Sequence, residues 1–527
     1  MSVAHTHQVA DLRRRAYVLA GTGLFVSALA ILALTSPGRI DIVDGQTRYE
    51  VARSLVDHGD HALRDPHIWF GRFPGREAKD HTNYRFPQSL LGVPAVLLSD
   101  WTGGKREPRR HFFFAMTSAV AGAALAVLFF GWFLNRGQSI PSALTWAALG
   151  IVATPAWFYS TSTFDDILGT TASVAALVAA GRPSWTPRAR AAAAGLLTGL
   201  AFNCKQPLVV VLLPALGQLW LEPSSRRQKL LAAVLVALGA TPGLLAYVWY
   251  EAYKFPPGLE AAHAVLQLQY MPVWPSKPFQ NAAALFLSPS AGLVWYCPPV
   301  VLGLVGLSRS AAPFRGSLAA AIAVFGLFVT SMTIFKGDPS WGPRYFTPIY
   351  AWLWLLAPQG AAFFRRRVTR LLVAAGVLVQ LAALTVDPHR LYVERNLPSM
   401  FGAVAPILYF DPKNAHLLNR PREINEVWHA RHRQFVDFSP SPQATFAFPV
   451  LDRIERGRAV VDHFAVLNTF RPWWVSQSYL PKTERPVSLR WGVAVQIMLL
   501  ISGIVSITVG LYWAQLATTR RAKVGRA

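Results

Sequence analysis

The sequence predicts an all-α polytopic membrane protein of about 10–12 transmembrane helices with a small extracytoplasmic C-terminal domain. Three observations predict it. Of 527 residues, 53% are apolar, and they are bunched into long uninterrupted runs. Runs of about 18 to 25 residues match a hydrocarbon core of about 30 Å at 1.5 Å rise per residue. Lysine and arginine, 51 against 27 acids, collect at the ends of these runs, as the positive-inside bias and anionic head groups favour. One long polar segment rich in proline and aromatics, 388–489, breaks the pattern late. The net charge of +24 is thereby explained by the bilayer, and no nucleic-acid partner is expected.

The first run, "AYVLAGTGLFVSALAILALTS", is too long for a cleavable signal peptide and no small-residue cleavage site follows it. It reads as an anchor that keeps Arg13, Arg14 and Arg15 in the cytoplasm. Clear spans follow the same logic at 16–35, 111–134, 139–160, 164–181, 228–250, 284–307, 317–335, 345–363, 370–387 and 490–515. Two stretches are ambiguous. Residues 84–99, "YRFPQSLLGVPAVLLS", make about 24 Å of helix and contain Pro87 and Pro94, so they fall short of a full crossing. Residues 190–221 would make about 48 Å, too long for one upright helix, and "NCKQP" interrupts them. Basic loops at 181–190, 224–229 and 365–370 all fall inside if 190–221 enters and returns as a hairpin, with Asn203, Lys205 and Pro207 at its tip. Residues 84–99 are then re-entrant or interfacial. "KREPRR" at 105–110 opposes this, and the rival topology has 84–99 cross and 190–221 form one kinked helix.

The chain therefore divides into a transmembrane domain, 1–387, with an extracytoplasmic first loop, 36–110; an extracytoplasmic domain, 388–489; and a last transmembrane helix with a basic cytoplasmic tail, 490–527. Cys204 and Cys297 both lie in apolar runs, as small packing residues do.

In the first loop, "DIVDGQTRYEVARSLVDHGD" places Asp41 and Asp44 beside the first span. A carboxylate at that depth is costly unless solvated, paired or used. "TRYEVARSLVDHGD" puts Tyr49, Ala52, Leu55 and Val56 on one face, a short amphipathic helix for the membrane surface. A solvated turn or a helix N-terminal acid is the plainer reading of Asp44.

An acid after the first span, an interfacial helix and "YRFPQSLLGVP" together resemble the first extracytoplasmic loop of GT-C-type membrane glycosyltransferases. The resemblance lies nearest those related to protein mannosyltransferases and aminoarabinose transferases. "STSTFDDILGTTAS", "AGLLTGLAFNCKQPLVVVLLPAL", "LFLSPSAGLVWYCPPVVLGLVG" and "KGDPSWGPRYFTPIYAWL" follow in the same order, covering most of 16–387. The 388–489 segment carries no such likeness.

The resemblance implies transfer of a sugar from a polyprenyl-phosphate carrier to a glycan, lipid or protein acceptor, usually with inversion. It implies a GT-C-like fold in the plasma (inner) membrane, an active site on the extracytoplasmic face and an acid of the first loop as general base. Asp44 is then the expected base, with Asp41 in reserve. Asp165 and Asp166 orient the acceptor or help hold a metal, an N-cap for the next helix being an equal reading. Lys205 and Arg344 face the donor phosphate, against the alternatives of a snorkelling lysine and an interfacial arginine. Lys336, Arg85, Tyr84 and His81 are further candidates to line the cavity.

These residues name no certain cofactor, and of the families resembled some members use a divalent ion and others none. A divalent ion is a candidate at "DHGDH", where Asp57, His58, Asp60 and His61 offer ligands within one turn, although solvation is the plainer reading. The competing function is a transporter or lipid flippase without bond chemistry, which would often show two related halves.

Overall fold

The computed structural model describes residues 3–65, 71–221, 225–255, 278–332, 335–337, 340–391, 406–429, 470–476 and 485–524. Among them six helices are long and apolar enough to cross a bilayer, Asp11–Thr35, Glu107–Asn135, Arg226–Lys254, Ala312–Thr330, Arg366–Thr385 and Leu489–Thr519. The chain is a helical, multi-pass membrane protein.

The first helix, α1 (Val3–Thr35), ends at the upper end of the bundle. There the chain turns into the short helix α2 (Val43–His58) and a two-stranded antiparallel ribbon, β1 (Arg72–Pro74) and β2 (Asp80–Thr82). Helix α3 (Pro87–Gly103) follows, and α4 (Glu107–Asn135) descends. Helix α3 does not cross. Near its start Gln88 donates to the Thr163 carbonyl at 3.0 Å, and near its end Asp100 accepts from Arg110 at 2.6 and 2.7 Å. Both partners sit at upper ends of neighbouring helices. Its buried side packs Gly92 on Ala52 and Phe114, while Leu90, Leu91, Leu97, Leu98 and Trp101 form an exposed stripe at helical spacing. A helix lying in the interface presents such an apolar face to lipid.

The 139–160 run rises in two pieces, α5 (Ile140–Val152) and α6 (Ala156–Ser160). The break falls at Thr154–Pro155, where proline supplies no N–H and the Thr154 hydroxyl caps the Gly150 carbonyl at 2.6 Å. Helix α7 (Asp166–Ala180) descends.

The long run 190–221 enters and returns. Helix α8 (Pro187–Cys204) rises from Arg190, which donates to the Ala180 carbonyl, to Lys205 beside Asp166. A 3-10 turn, Gln206–Val211, and α9 (Leu212–Leu219) bring the chain back down, where Gln218 accepts from Arg136 at 2.6 Å. Proline at 207 and the loss of helical geometry at Lys205 (φ −148°, ψ 117°) make the bend. Helix α10 (Arg226–Lys254) rises beside α8 with small residues between them. A Cβ on Gly195 would lie 2.1 Å from the Val236 carbonyl oxygen, so the backbones touch, the close approach that small residues permit in lipid.

Further on, 284–307 is broken into α11 (Pro278–Leu287), α12 (Leu293–Tyr296) and α13 (Val300–Arg309), and α14 (Ala312–Thr330) returns upward. The 345–363 run is likewise two helices, α15 (Thr347–Trp354) and α16 (Ala357–Ala361), before α17 (Arg366–Thr385).

Of 388–489, the described parts include α18 (His416–His429) and α19 (Trp473–Ser476). They are stitched to the upper end. Arg420 donates to the Val386 carbonyl at 2.9 Å, Arg390 pairs with Glu426 at 2.7 Å, and the Trp473 amide donates to the Ser36 carbonyl at 2.9 Å. "RHRQFVDFSP" at 431–440 lies outside the described residues. The last helix, α20 (Leu489–Val524), packs antiparallel on α1, where a Cβ on Gly23 would meet the Gly503 carbonyl at 2.5 Å.

The first loop is held to the bundle by ions. Asp57 accepts from the buried Arg110 at 2.7 and 3.0 Å and from Lys105 at 3.0 Å. The Arg110 hydrogen bonds hold its carboxyl well below the usual carboxylate range. A depressed folded-state pKa gives stability that is present above the unfolded value of about 3.8 and lost as pH falls below it. The melting temperature in detergent is therefore expected to drop below about pH 4, and Asp57→Asn to remove part of that drop. At neutral pH the same variant is expected to cost about 1–3 kcal/mol, because Arg110 stays buried.

Candidate functional site

Five separated pieces of chain meet at the upper end: the first turn of α2, the 83–85 loop, the 161–166 turn, the hairpin tip at 205 and the 336–345 loop. Each carries a charge or phenol inward. Asp44 lies in the first turn of α2 and Arg48 one turn on, an i, i+4 spacing that aligns both on one helix face. Asp165 and Asp166 begin α7, and Lys205 ends α8.

The result is three carboxylates interleaved with three cations. Arg344 spans two of the acids, with Nη2 at 3.7 Å from Asp44 Oδ2 and Nε at 3.4 Å from Asp166 Oδ2. Lys205 Nζ makes a short contact with Asp166 Oδ1 and lies 3.8 Å from Asp165 Oδ1. Arg48 Nη2 donates to Asp165 Oδ2 at 3.0 Å. Aromatic faces wall the group. Arg48 lies over the Tyr84 ring at 4.4 Å, Arg344 over Phe164 at 4.2 Å, and Lys205 over Tyr345 at 4.7 Å, a setting in which cations are stabilised without being neutralised. Burial alone would lower the Arg344 pKa, but the Tyr345 hydroxyl beside it and the Asp166 and Asp44 carboxylates raise it, so the guanidinium stays charged. Tyr84 is pushed far up by burial and by the Asp44 carboxylate, so its phenol stays protonated and donates to Asp44 Oδ1 at 2.6 Å.

The acids differ in what they have left to offer. Asp166 is fully buried between Lys205 and Arg344, and Asp165 is held by Arg48 and Lys205. Among the described residues Asp44 has one side-chain hydrogen bond and a 3.7 Å ion pair, and its side chain is 14% exposed. On the cationic side, Arg344 Nε and Arg48 Nη1 are buried with no hydrogen-bond partner among the described residues. Arg344 Nε has only its 3.4 Å ion pair with Asp166, and a buried donor without a hydrogen bond is costly unless an acceptor completes it.

The 336–345 loop is shaped for Arg344. Its amide donates to the Lys336 carbonyl at 3.1 Å, and Gly337 adopts φ +79° where a Cβ would sit 2.9 Å from Arg344 Nε. Only glycine meets both demands.

About one turn below Asp166 an apolar cavity of about 560 Å³ opens between α1, α4, α7 and α8, lined by Gly21, Phe25, Leu128, Leu168, Thr171 and Leu200. It does not include the charged group.

Of the residues singled out from the sequence, Asp44, Tyr84, Asp165, Asp166, Lys205 and Arg344 gather here. Asp41 does not serve as a spare for Asp44. Its Oδ1 accepts from the Thr163 amide (2.8 Å) and hydroxyl (2.7 Å), and its Oδ2 from Ser162 (2.7 Å) and Arg471 (3.3 Å), so its lone pairs are taken. Arg85 turns away to Glu251 at 2.5 Å and to the Tyr247 hydroxyl at 3.2 Å. Tyr247 in turn accepts from Gln206, one residue past Lys205. His81 is buried against Tyr253 and Phe255, and Lys336 points to the Ser340 carbonyl and the Tyr409 ring. Arg48, which the sequence did not single out, joins the site through Asp165.

"DHGDH" does not fit a metal ion. Asp57 is committed to Arg110, Asp60 to Arg64 at 2.6 Å, and His61 packs on Tyr250 and Tyr253. Among the described residues no group of three or more His, Cys, Asp or Glu side chains is placed to hold one.

No family model matches the chain, and no curated protein matches it by sequence. Among solved structures the chain is similar to ArnT from Cupriavidus metallidurans bound to undecaprenyl phosphate, with 14% identity over 92% of this chain and 77% of that one and a TM-score of 0.43. It is also similar to the Archaeoglobus fulgidus oligosaccharyltransferase in its apo form, at 16% identity, 80% and 58% coverage and a TM-score of 0.37. A third neighbour is AglB of the same organism in complex with an inhibitory peptide and a dolichol-phosphate, at 14% identity, 84% and 59% coverage and a TM-score of 0.37.

Proposed function

We propose that the chain is a membrane glycosyltransferase that moves a sugar from a polyprenyl-phosphate donor to an acceptor hydroxyl or amine on the extracytoplasmic side of the plasma membrane, with inversion. The observation that carries this reading is the pairing of a lightly bonded carboxylate, Asp44, with buried guanidinium donors, Arg48 Nη1 and Arg344 Nε, that make no hydrogen bond among the described residues, Arg344 Nε having only a 3.4 Å ion pair with Asp166. An anion with several acceptor oxygens fits those donors, and a phosphate ester is such an anion.

The chemistry follows from the residue types. The acceptor heteroatom attacks the anomeric carbon and gives its proton to Asp44. The bond between the anomeric carbon and the phosphate oxygen breaks with its electron pair leaving on the phosphate. Arg344, Lys205 and Arg48 stabilise the released charge. Inversion puts base and leaving group on opposite faces of the sugar. In the free protein Arg344 leans on both Asp44 and Asp166; a donor phosphate competing for it would loosen its hold on Asp44 and leave that carboxylate better able to take a proton. The apolar cavity below Asp166 is a suitable berth for part of a prenyl chain, which would hang the scissile bond at the depth of the acid cluster.

The test is a comparison of glycans and lipids between wild-type cells and cells carrying Asp44→Asn, with membrane abundance matched. The reading expects one sugar to disappear from its acceptor and its prenyl-linked donor to accumulate. Unchanged glycans and lipids in the variant would remove it.

A further inference from the structure

We infer that Arg471, brought in by the 470–476 segment, is a positioning residue for the reaction. It fixes the turn from which the two α7 carboxylates and the neighbour of Asp44 take their places. This rests on the glycosyltransferase reading above. Arg471 is 2% exposed and touches none of the acid cluster directly. Its Nη1 donates to the Thr161 hydroxyl at 2.7 Å, and its Nη2 to the Thr161 carbonyl at 3.2 Å and to Asp41 Oδ2 at 3.3 Å. Asp41 holds the same turn from the other side through Ser162 and Thr163. The Thr161–Thr163 turn is thus bonded on both flanks, and Asp165 and Asp166 follow it by two and three residues.

The same turn presses on the base. A Cβ on Gly45 would lie 2.3 Å from Thr163 Oγ1, so the residue after Asp44 rides directly on the clamped turn. A shift of Thr163 therefore moves Asp44 and the α7 acids together. The segment carrying Arg471 is itself fastened at several points. The Arg471 amide donates to the Thr385 carbonyl at 2.8 Å, the Trp473 amide to the Ser36 carbonyl, and the Trp474 indole to the Leu34 carbonyl at 3.0 Å. One short stretch far along the chain so ties the tops of α1 and α17 to the turn that opens α7. A guanidinium suits the task because its planar fork serves several acceptors at once.

The experiment compares purified wild type, Arg471→Met and Arg471→Lys, using as donor the prenyl-linked fraction extracted from Asp44→Asn cells. Positioning predicts that Arg471→Met lowers kcat per folded molecule by about tenfold or more while the KM for donor holds, because about 1 Å of misplacement costs up to about 10²-fold. Arg471→Lys, reaching fewer acceptors, is expected to fall between and to remain folded if the methionine variant does not. Hydrogen exchange over residues 160–167 is expected to quicken in both. Unchanged kcat per folded molecule in the variants, or unchanged exchange in that turn, overturns the inference. If Asp44→Asn is inactive in this assay while Arg471→Met is fully active, the positioning role alone falls. If wild type itself transfers no sugar from this fraction, the glycosyltransferase assignment falls and the catalytic role of Arg471 with it; if Asp44→Asn is fully active, the base role of Asp44 falls.

Discussion

Purified Asp44→Asn is expected to turn over about 10²–10⁴-fold more slowly than wild type, the usual contribution of a positioned general base, while still binding the proposed polyprenyl-phosphate donor. The substitution is nearly isosteric. Its amide oxygen can keep the hydrogen bond from Tyr84, and the fold around Gly45 and Thr163 need not move. What is lost is a group able to take a proton. The phosphate-facing side should bind at least as well, because Arg344 no longer shares itself with a carboxylate at 3.7 Å. A fall in kcat with little change in donor KM is the expected pattern, the signature of an interaction made in the transition state. Loss of donor binding with kcat intact would instead make Asp44 a ligand for substrate and not its base.

Arg344→Ala is expected to lower kcat/KM by about 10²–10³-fold, the cost of removing one preorganised donor to developing negative charge. The effect should be larger than that of Lys205→Ala. Arg344 sits between Asp44 and Asp166, so its removal also leaves two acids facing each other with less compensation. Arg344→Lys should recover little, since an ammonium cannot fork onto two oxygens or stack on Phe164 as a guanidinium does. Both variants are expected to raise the KM for donor as well as lower kcat, unlike Asp44→Asn. Wild-type kinetics in Arg344→Ala would separate the guanidinium from the reaction.

Hydropathy made most of the membrane architecture legible. The apolar runs follow from length and charge, which are local quantities, and length and proline placement marked 84–99 and 190–221 as irregular, but with "KREPRR" at 105–110 opposing, charge left a rival topology standing beside the hairpin. The breaks inside 139–160 and 345–363 were not read, because an apolar window averages over a single Thr-Pro step such as Thr154–Pro155. At the site, acids and bases that interrupt apolar context were legible, and Asp44, Asp166, Lys205 and Arg344 meet in space. Residues whose partners are distant were not. Asp41 is used up by Thr163 and Arg471, contacts across 122 and 430 positions. Arg85 and Lys336 look like inward-facing cations in sequence, yet Glu251 and the Ser340 carbonyl claim them. Arg48 sits on the polar side of a short helix, where charge usually means solvent, and only the fold turns that side toward Asp165.

The central claim is that the acid–guanidinium cluster between α2, α7 and the 336–345 loop receives the donor phosphate across from Asp44. Its most direct test is a structure of the wild-type protein in lipid nanodiscs with undecaprenyl phosphate added. The account predicts the phosphate within hydrogen-bonding distance of the Arg344 and Lys205 side chains, with Asp44 facing it across a space the size of a sugar ring. Lipid phosphate bound elsewhere, with Arg344 still clasping Asp44 and Asp166, would contradict it.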